Sequence, residues 1–564
     1  FLSDIHQNTR RREIARVSEL TQAMMLQDLN INPVQPSTSE TNLNIVTSGG
    51  PAGAGFNEFT PLFQRNQAQL SASAQAGSNG TRGGEAVVSG LYDRYSFSLG
   101  ALNYETDGWR RNNGLEQDVY TAFAQAALTD QLNVQAEYRH RQSSEGDLAF
   151  NFDPDDLVAS RRIGRKQETT RIGLRYSPAP PTHLLLSYIH GTREENLSEI
   201  IDLPPIFGTT TSTNRQRSRS KSDQVEAQLL HAMDVSNLVV GAAWSKSRRT
   251  DNVDLSIDDS ILGNLLAISG QEQFPTRHQR GYTYVNLRPH SSVVWTLGAS
   301  YDNFEQDSFQ DRRLNPKFGV QWDMNPVLRL RAAAFQVVKP ALAGNRTLEP
   351  TQIAGFNQLF DDLNGTRSKR YGVGLDWRAH QQVRTGIEFT HRDMDEPLLD
   401  ALAGAWITEA RSEQLHRIYA DWTISSRLAL HTELAYDRYR SERGIATADS
   451  NLPESVVTWS APVRLSYFAP SGWFAGLSAT YVDQAVRRSL TATQASGNDQ
   501  FVVVDTSIGY RLPQRRGVIS LAVKNLFDSD FRYQDDSYRE FRDEPVIGPY
   551  FPERIVMARF TAGF

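Results

Sequence analysis

Cysteine is absent from all 564 residues, which removes disulfides, thiolate metal sites and cysteine nucleophiles together. Long apolar runs are absent too. No stretch approaches the ~18 consecutive apolar residues of a transmembrane helix, so a helical inner-membrane protein is excluded. The mean hydropathy of -0.49 does not exclude a membrane β-barrel, whose lipid face uses only every second residue and so keeps the average low. Charge of one sign is scarce: 59 basic and 65 acidic residues leave a net charge of -6, and the cations are dispersed apart from one cluster. Bulk attraction to nucleic acid is therefore not indicated. Catalytic signatures are missing as well. The chain has no HExxH, no G-x-S-x-G and no P-loop, and "GGPAGAG" precedes no helix that follows a strand. The eleven histidines are scattered, and no nucleophile, base and orienter set emerges, so neither an enzyme nor a cofactor is expected. The chain starts at Phe1, without methionine, and reads as a processed product or a fragment of a longer chain.

What the sequence does contain is alternation. From about Gln67 onward one unit repeats: a run of about ten to fifteen alternating residues, a short polar turn, another run, then a longer polar loop. In "QLNVQAEYRHR", Leu132, Val134, Ala136 and Tyr138 alternate with Asn133, Gln135, Glu137 and Arg139. In "RLALHTELAYDRY", Leu428, Leu430, Thr432, Leu434 and Tyr436 alternate with His431, Glu433 and Asp437. Leu238, Val240, Ala242 and Trp244 form a further series, as do Val502, Val504, Thr506, Ile508 and Tyr510. Such runs are roughly twice the length of sandwich strands, and a tilted strand needs about nine to eleven residues to cross a bilayer. A sheet in lipid must close, because an open edge has unsatisfied backbone groups. The fold predicted is all-β, a transmembrane antiparallel β-barrel with a polar lumen. Tight turns near Asp93, Asp130, Pro178 to Pro181, Val235, Ser291, Asn325, Gln381, Ser425, Pro470 and Pro513 give about 22 strands, with both termini periplasmic. The barrel is predicted to cover 67–564, and a leader covers 1–66. The leader holds an amphipathic helix with Ile14, Val17, Leu20 and Met24 on one side, then a Pro-, Gly- and Ser-rich extended stretch.

The end of the chain, "PERIVMARFTAGF", keeps its alternation to the last residue. Val556, Ala558, Phe560, Ala562 and Phe564 point one way, as a closing strand pairing with the first requires. "SLAVKNLFDSDFRY" followed by "PERIVMARFTAGF" resembles the closing strands of TonB-dependent receptors, with Asn525, Leu526, Phe527 and Asp528 at the family's motif. "NPKFGVQWDMNPVLRLRAAAFQVVKPALAGNRTLEP" resembles a mid-barrel stretch of the same receptors. The resemblance covers roughly 67–564 and implies a 22-stranded barrel in the bacterial outer membrane. It also implies that the terminal aromatic strand, with Val556, Ala558, Phe560 and Phe564, is the signal read by the barrel-assembly machinery. The sequence departs from the family at its start, where about 66 residues stand in place of a plug domain of well over a hundred. In that respect it is similar to bacterial proteins that join tetratricopeptide repeats to a receptor-like barrel, which implies a periplasmic repeat domain before Phe1. "ETNLNIVTS" is similar to the TonB-binding box; an extended linker is the competing reading.

Three groups of residues are candidates for function. Arg215, Arg217, Arg219 and Lys221 are spaced by two, and their parity continues into Val225, Ala227 and Leu229. Lys246 and Arg248 share the outward parity of Val240, Ala242 and Trp244. These six charges are predicted to sit outside the barrel at lipid-phosphate height, with lipopolysaccharide phosphates as the ligand; a solvated loop is the competing reading. Glu137, Arg139, Arg141, Glu226, Arg417, Asp421 and Asp505 are predicted to line the lumen, either along a route or in the mutually paired polar wall of any such barrel. Asp153, Asp155 and Asp156 in "NFDPDD" suit an acidic turn better than a calcium loop, because the spacing of such a loop is missing. The loops 250–278 and 340–365 carry short helical patterns, "SILGNLLAIS" and "PTQIAGFNQLF", and suit lids over the mouth or packing among loops.

A barrel this wide needs an obstruction, supplied by the leader, the loops or a periplasmic partner. The sequence therefore reads as an outer-membrane conduit for export of a polymer or protein. The alternatives are a TonB-coupled uptake barrel and a non-conducting anchor for a surface or periplasmic assembly.

Overall fold

The computed structural model describes residues 66–203, 208–350, 352–358, 362–400, 404–442, 451–490, 492–539 and 549–563. Residues 1–65 of the leader 1–66, with its expected helix and "ETNLNIVTS", lie outside the described residues, as does Phe564. Twenty-two antiparallel strands form one sheet. The first, Gln67–Gly77, pairs with the last, Ile555–Gly563, in register from Ser71 opposite Gly563 to Gly77 opposite Met557. Closure leaves no edge for lipid to face. Among the described residues no α-helix is present; the non-strand elements are three short 3-10 turns.

The ten tight connections expected from the sequence all fall at one end of the barrel. Tyr92 pairs with Tyr95 across Asp93, which takes a φ of 54°. Gly472 takes a φ of 101° while its N–H reaches the Ala469 carbonyl at 3.0 Å, a conformation that favours a residue without Cβ. Short turns mark the periplasmic end. The opposite, extracellular end carries the long connections, among them 107–114, 146–161, 339–366 and 525–554.

Strand length is uneven. Gln67–Gly77 and Arg82–Tyr92 have 11 residues each, just enough to cross a bilayer, whereas Thr182–Leu203, Thr210–Ala232, Ser236–Asp259 and Gly263–His290 have 22, 23, 24 and 28. At ~3.3 Å per residue the longest runs for about 90 Å along its axis. These four strands therefore rise well beyond the membrane as a continuous fin. The segment "SILGNLLAIS", expected to be helical, is part of this fin: strands Ser236–Asp259 and Gly263–His290 pair almost to the tip, with a bulge between Asn264 and Leu266. The spacing of its apolar residues fits a bulged hairpin as well as a helix, and the long pairing on either side decides for the hairpin. "PTQIAGFNQLF" is likewise a two-residue-stranded hairpin, Gln352–Ile353 against Phe356–Asn357. Ala354 and Gly355 both take positive φ there, 49° and 86°, the backbone of a tight hairpin turn rather than a helix.

The outer face carries Leu99, Ile172, Val240, Leu297, Val373, Ile418, Leu477 and Ile508, all exposed. The inner face carries buried polar and charged side chains. This division follows the parity of each strand.

Candidate functional site

The connection 339–366 leaves the strand Leu328–Val338 at the extracellular end and folds back into the barrel. Pro340 cannot continue a ladder, and the apolar Leu348, Ile353 and Phe356 that follow are buried with Leu185, Leu230, Val239, Tyr282, Tyr284 and Phe335 of the inner wall. Two wall glycines make room for the hairpin. A Cβ on Gly319 would come within 2.8 Å of the Ile353 side chain, and one on Gly372 within 2.5 Å of the Phe356 ring. At the hairpin tip a Cβ on Gly355 would meet the Arg331 guanidinium at 2.7 Å. Arg331 stands near the start of its strand, close to the periplasmic turn at Asn325, so the loop descends through most of the lumen.

Charge fixes the loop in place. Glu226 accepts hydrogen bonds from the Tyr282 hydroxyl at 2.8 Å, the Thr347 hydroxyl at 2.7 Å and the Leu348 N–H at 2.8 Å. Glu349, from the loop, pairs with Arg280 at 2.9 Å and with Lys317 at 3.7 Å, and accepts the Tyr284 hydroxyl. Gln224 holds both ends of the short 3-10 turn Ala343–Asn345, accepting the Ala343 N–H and donating to the Arg346 carbonyl, each at 2.8 Å. Arg346 reaches Glu137 at 3.1 Å. Buried charges stay ionised only when paired and hydrogen-bonded, and here wall and loop supply each other's partners.

In a second connection, the described residues 525–539 and 549–554 pack against the inner wall at the extracellular end. Its start is set by the Asn525 to Asp528 motif: both end residues take positive φ, 48° and 56°. Asn525 accepts the Ser529 N–H at 2.9 Å and donates to the Phe551 carbonyl at 3.1 Å, and Asp528 accepts the Arg554 N–H at 2.7 Å. The turn directs Phe531 onto Phe501, with rings stacked 3.9 Å apart. Asp535 is buried and accepts the N–H groups of Phe150 at 3.1 Å and Ser537 at 3.0 Å. Burial outweighs these bonds and pushes its carboxyl up to about 6. Burial opposes the charge of Arg539, but Asp437, Asp536 and Glu413 outweigh it and hold the guanidinium above its ordinary range.

The two loops are joined by a chain of ions. Asp362 of the first loop pairs with Arg392 at 2.7 Å, Arg392 with Glu413 at 2.7 Å, Glu413 with Arg539 of the second loop at 3.7 Å, and Arg539 with Asp437 at 3.0 Å. Near the first and last strands, the extracellular end also contains a pocket lined by Tyr104, Trp109, Leu148, Phe150, Tyr550 and Phe551 among others. Trp109 packs edge-on against Phe150 at 5.0 Å.

Of the residues singled out from the sequence, Glu137, Glu226 and Arg417 belong to this loop-lined wall. Glu137 pairs with Arg171 at 2.6 Å as well as with Arg346, and Arg417 approaches Glu388 at 3.4 Å, which Arg331 shares at 3.1 Å. Arg139 and Arg141 face inward on the strand Leu132–Glu145. Asp421 pairs with His431 at 2.8 Å and Asp505 with Lys524 at 2.9 Å, both away from the inserted loop. Arg215, Arg217, Arg219, Lys221, Lys246 and Arg248 are all exposed on the outer face. Val556, Ala558 and Phe560 also face outward. Asp153 pairs with Arg532 at 3.4 Å and Asp156 accepts the Ala495 N–H at 2.8 Å, so these carboxylates tie loops together. Among the described residues no group of three or more His, Asp or Glu is placed to hold a metal. Sequence reasoning missed Gln224, Arg280, Tyr282, Tyr284, Lys317 and Glu349. The available signal was the run of bulky polar and aromatic residues at inward parity, Arg280, Tyr282 and Tyr284, with the two tyrosines lying over the small Gly241 and Gly298 of the neighbouring strands.

The family model described as TonB dependent receptor-like, beta-barrel matches residues 201–526. No curated protein sequence matches the chain. Among solved structures, the ferripyoverdine receptor of the outer membrane of Pseudomonas aeruginosa is similar at 15% identity, covering 92% of this chain and 74% of that one, with a TM-score of 0.65. The ferric-catecholate import receptor Fiu from E. coli, in its closed form, is similar at 13% identity, with coverage of 89% and 82% and a TM-score of 0.63. The siderophore receptor PiuA from Acinetobacter baumannii is similar at 10% identity, with coverage of 89% and 82% and a TM-score of 0.65. At these identities the structures attest the fold, and the family match attests the lineage. The chain therefore belongs to the TonB-dependent receptor-like β-barrel family, proteins of the bacterial outer membrane that work with a periplasmic TonB partner.

Proposed function

We propose that this barrel is the pathway of a TonB-coupled uptake receptor, which captures a ligand at the extracellular mouth and admits it past a lumen held narrow at rest. The observation that carries this reading is the inserted loop 339–366, fixed to the wall through Glu137, Glu226, Arg280 and Lys317. Breaking one buried pair of this kind costs about 3–5 kcal/mol, which suits a pathway opened by an energised periplasmic partner better than one open to diffusion. The aromatic pocket around Trp109 and Phe150, at the extracellular end of the barrel, supports capture from that side. The export conduit expected from the sequence is favoured less, because neither the family nor the pocket bears on a polymer leaving the cell. Similar structures are receptors for ferripyoverdine and ferric catecholate, so a ferric chelate is the substrate class proposed, with "ETNLNIVTS" as the contact for TonB.

The test is uptake of radiolabelled ferric hydroxamate and ferric catecholate chelates by cells expressing the chain. Uptake of one chelate is expected to fall at least about tenfold with a protonophore or on deletion of 40–48, while surface binding persists. Uptake that survives de-energisation would leave a passive conduit. No uptake of either chelate, together with steady conductance, would return the export reading.

A further inference from the structure

The outer face of the fin carries a charge pattern that the lumen does not explain. Tyr188, Val225 and Trp244 stand side by side across three strands, an aromatic and apolar row of the kind that marks a membrane interface. One outward step higher the row is His190, Asp223, Lys246 and Arg277; the next is Thr192, Lys221 and Arg248; the next is Glu194, Arg219 and Thr250. Lys221 is directly opposite Arg248, and Lys246 is directly opposite Arg277. Like charges at opposed positions destabilise a sheet, and here two such pairs adjoin.

The carboxylates nearby are already engaged. Glu194 accepts Arg217 Nε at 2.8 Å and lies 3.7 Å from Arg219. Asp223 accepts His190 Nδ1 and the Tyr188 hydroxyl, at 2.8 and 2.9 Å. Among the described residues Lys221, Lys246, Arg248 and Arg277 have no carboxylate within 4 Å. Elsewhere on the rim the pattern differs: Arg82, on a strand of 11 residues, is paired with Glu105 at 2.7 Å. The fin is also stiff, since Thr210–Ala232 is hydrogen-bonded on both sides over its full length.

We infer that Lys221, Lys246, Arg248 and Arg277 form a binding site for the phosphorylated headgroup of an outer-leaflet glycolipid. The site would take two phosphates: Arg248 and Arg277 offer planar forks to phosphate oxygens, and the lysines add compact charges beside them. The aromatic row sits one step below, where acyl chains meet headgroups. A ligand of this chemistry would neutralise the two opposed like-charge pairs at once, whereas Asp223, cross-strand from Lys246 and already bonded to His190 and Tyr188, bears on Lys246 alone. Lipopolysaccharide is the source to which the placement commits, because the residues lie on the lipid-facing side and not in the lumen or at the fin tip.

The experiment quantifies phosphorylated glycolipid retained after detergent purification. The wild type is compared with the Lys221→Gln, Lys246→Gln, Arg248→Gln, Arg277→Gln quadruple variant and with Arg82→Gln. Heat-modifiable migration in gels checks that each variant folds, and the Arg248→Gln, Arg277→Gln double variant stands in if the quadruple does not. Retention is expected to fall at least about tenfold in the quadruple variant, to persist in Arg82→Gln, and to persist when the lysines become arginine and the arginines lysine. Unchanged retention in the quadruple variant would overturn the inference, as would an equal loss in Arg82→Gln. Displacement of the glycolipid by millimolar inorganic phosphate would also overturn it, since the site would then read phosphate alone.

Discussion

Two regions built on one strand, Thr210–Ala232, differ in what meets their charges. On the inner face Gln224, Glu226 and Gln228 are buried, and each is hydrogen-bonded to the loop 339–366. On the outer face Arg217 and Arg219 share one carboxylate, while Lys221 stands opposite a second cation. The inner charges were answered from within the chain because they are sealed from water, where an unpaired charge is costly. The outer charges are wetted, so water and salt moderate their repulsion and the chain tolerates them. Answered charges hold the molecule in one shape; the unanswered ones are those proposed to meet a second molecule.

The largest difference between the two regions should appear in conductance. Replacing 342–358 by a short Gly-Ser linker removes the inserted loop and its ion pairs, and small-ion conductance in planar bilayers is expected to rise at least about tenfold, given the width of a barrel of 22 strands. The quadruple outer-face variant should leave conductance as it is. An unchanged current in the loop variant would mean that the loop lines the wall without narrowing the route.

A smaller effect separates the faces in stability. Glu226→Leu takes the acceptor from Tyr282, Thr347 and Leu348 at once, and should destabilise the loop's docking by about 3–5 kcal/mol. Hydrogen exchange at the Leu348 amide would register this as lost protection. Lys221→Gln, on the same strand but facing lipid, should change stability by less than about 0.5 kcal/mol, with the sign favouring the variant because Arg248 loses a like-charged neighbour. Equal effects at the two positions would remove the distinction.

The outer surface was far more legible in the sequence than the lumen, and the reason is the range of the interactions. Strand parity repeats every two residues, so Val225, Ala227 and Leu229 announce their face within a short window, and the ten tight turns follow from local turn chemistry. The loop's partners carry no such local signature. Glu226 meets Thr347 across 121 positions and Arg346 meets Glu137 across 209, and nothing near Glu226 says that its partner is a loop rather than the next strand. The helical spacing in "SILGNLLAIS" and "PTQIAGFNQLF" misled for the same reason. In the first, pairing along two long strands overrides local spacing; in the second, the positive φ of Ala354 and Gly355 does. Glu137, Glu226 and Arg417 were legible as inward residues, but not as parts of one network, because that network exists only once the loop has entered.

The pH-dependent effect lies in the second loop, where burial sets the charge of Asp535. Asp535 ordinarily loses its proton near 3.8, but burial raises this to about 6 when the loop 525–539 is docked. Below the lower value both docked and undocked states are protonated, and docking has its full strength. Between about 4 and 6 the undocked carboxyl ionises while the docked one does not, so docking weakens as pH rises through this window and stays at the weaker level above it. Protection of the Ser537 and Phe150 amides, whose N–H groups Asp535 accepts, should therefore be greater at pH 4 than at pH 7 once intrinsic exchange is divided out. Asp535→Asn keeps an oxygen acceptor and cannot ionise, so its protection should be nearly flat with pH. A slope that survives in Asp535→Asn would place the titrating group elsewhere. Asp535 would then no longer be the group through which burial couples this loop to pH.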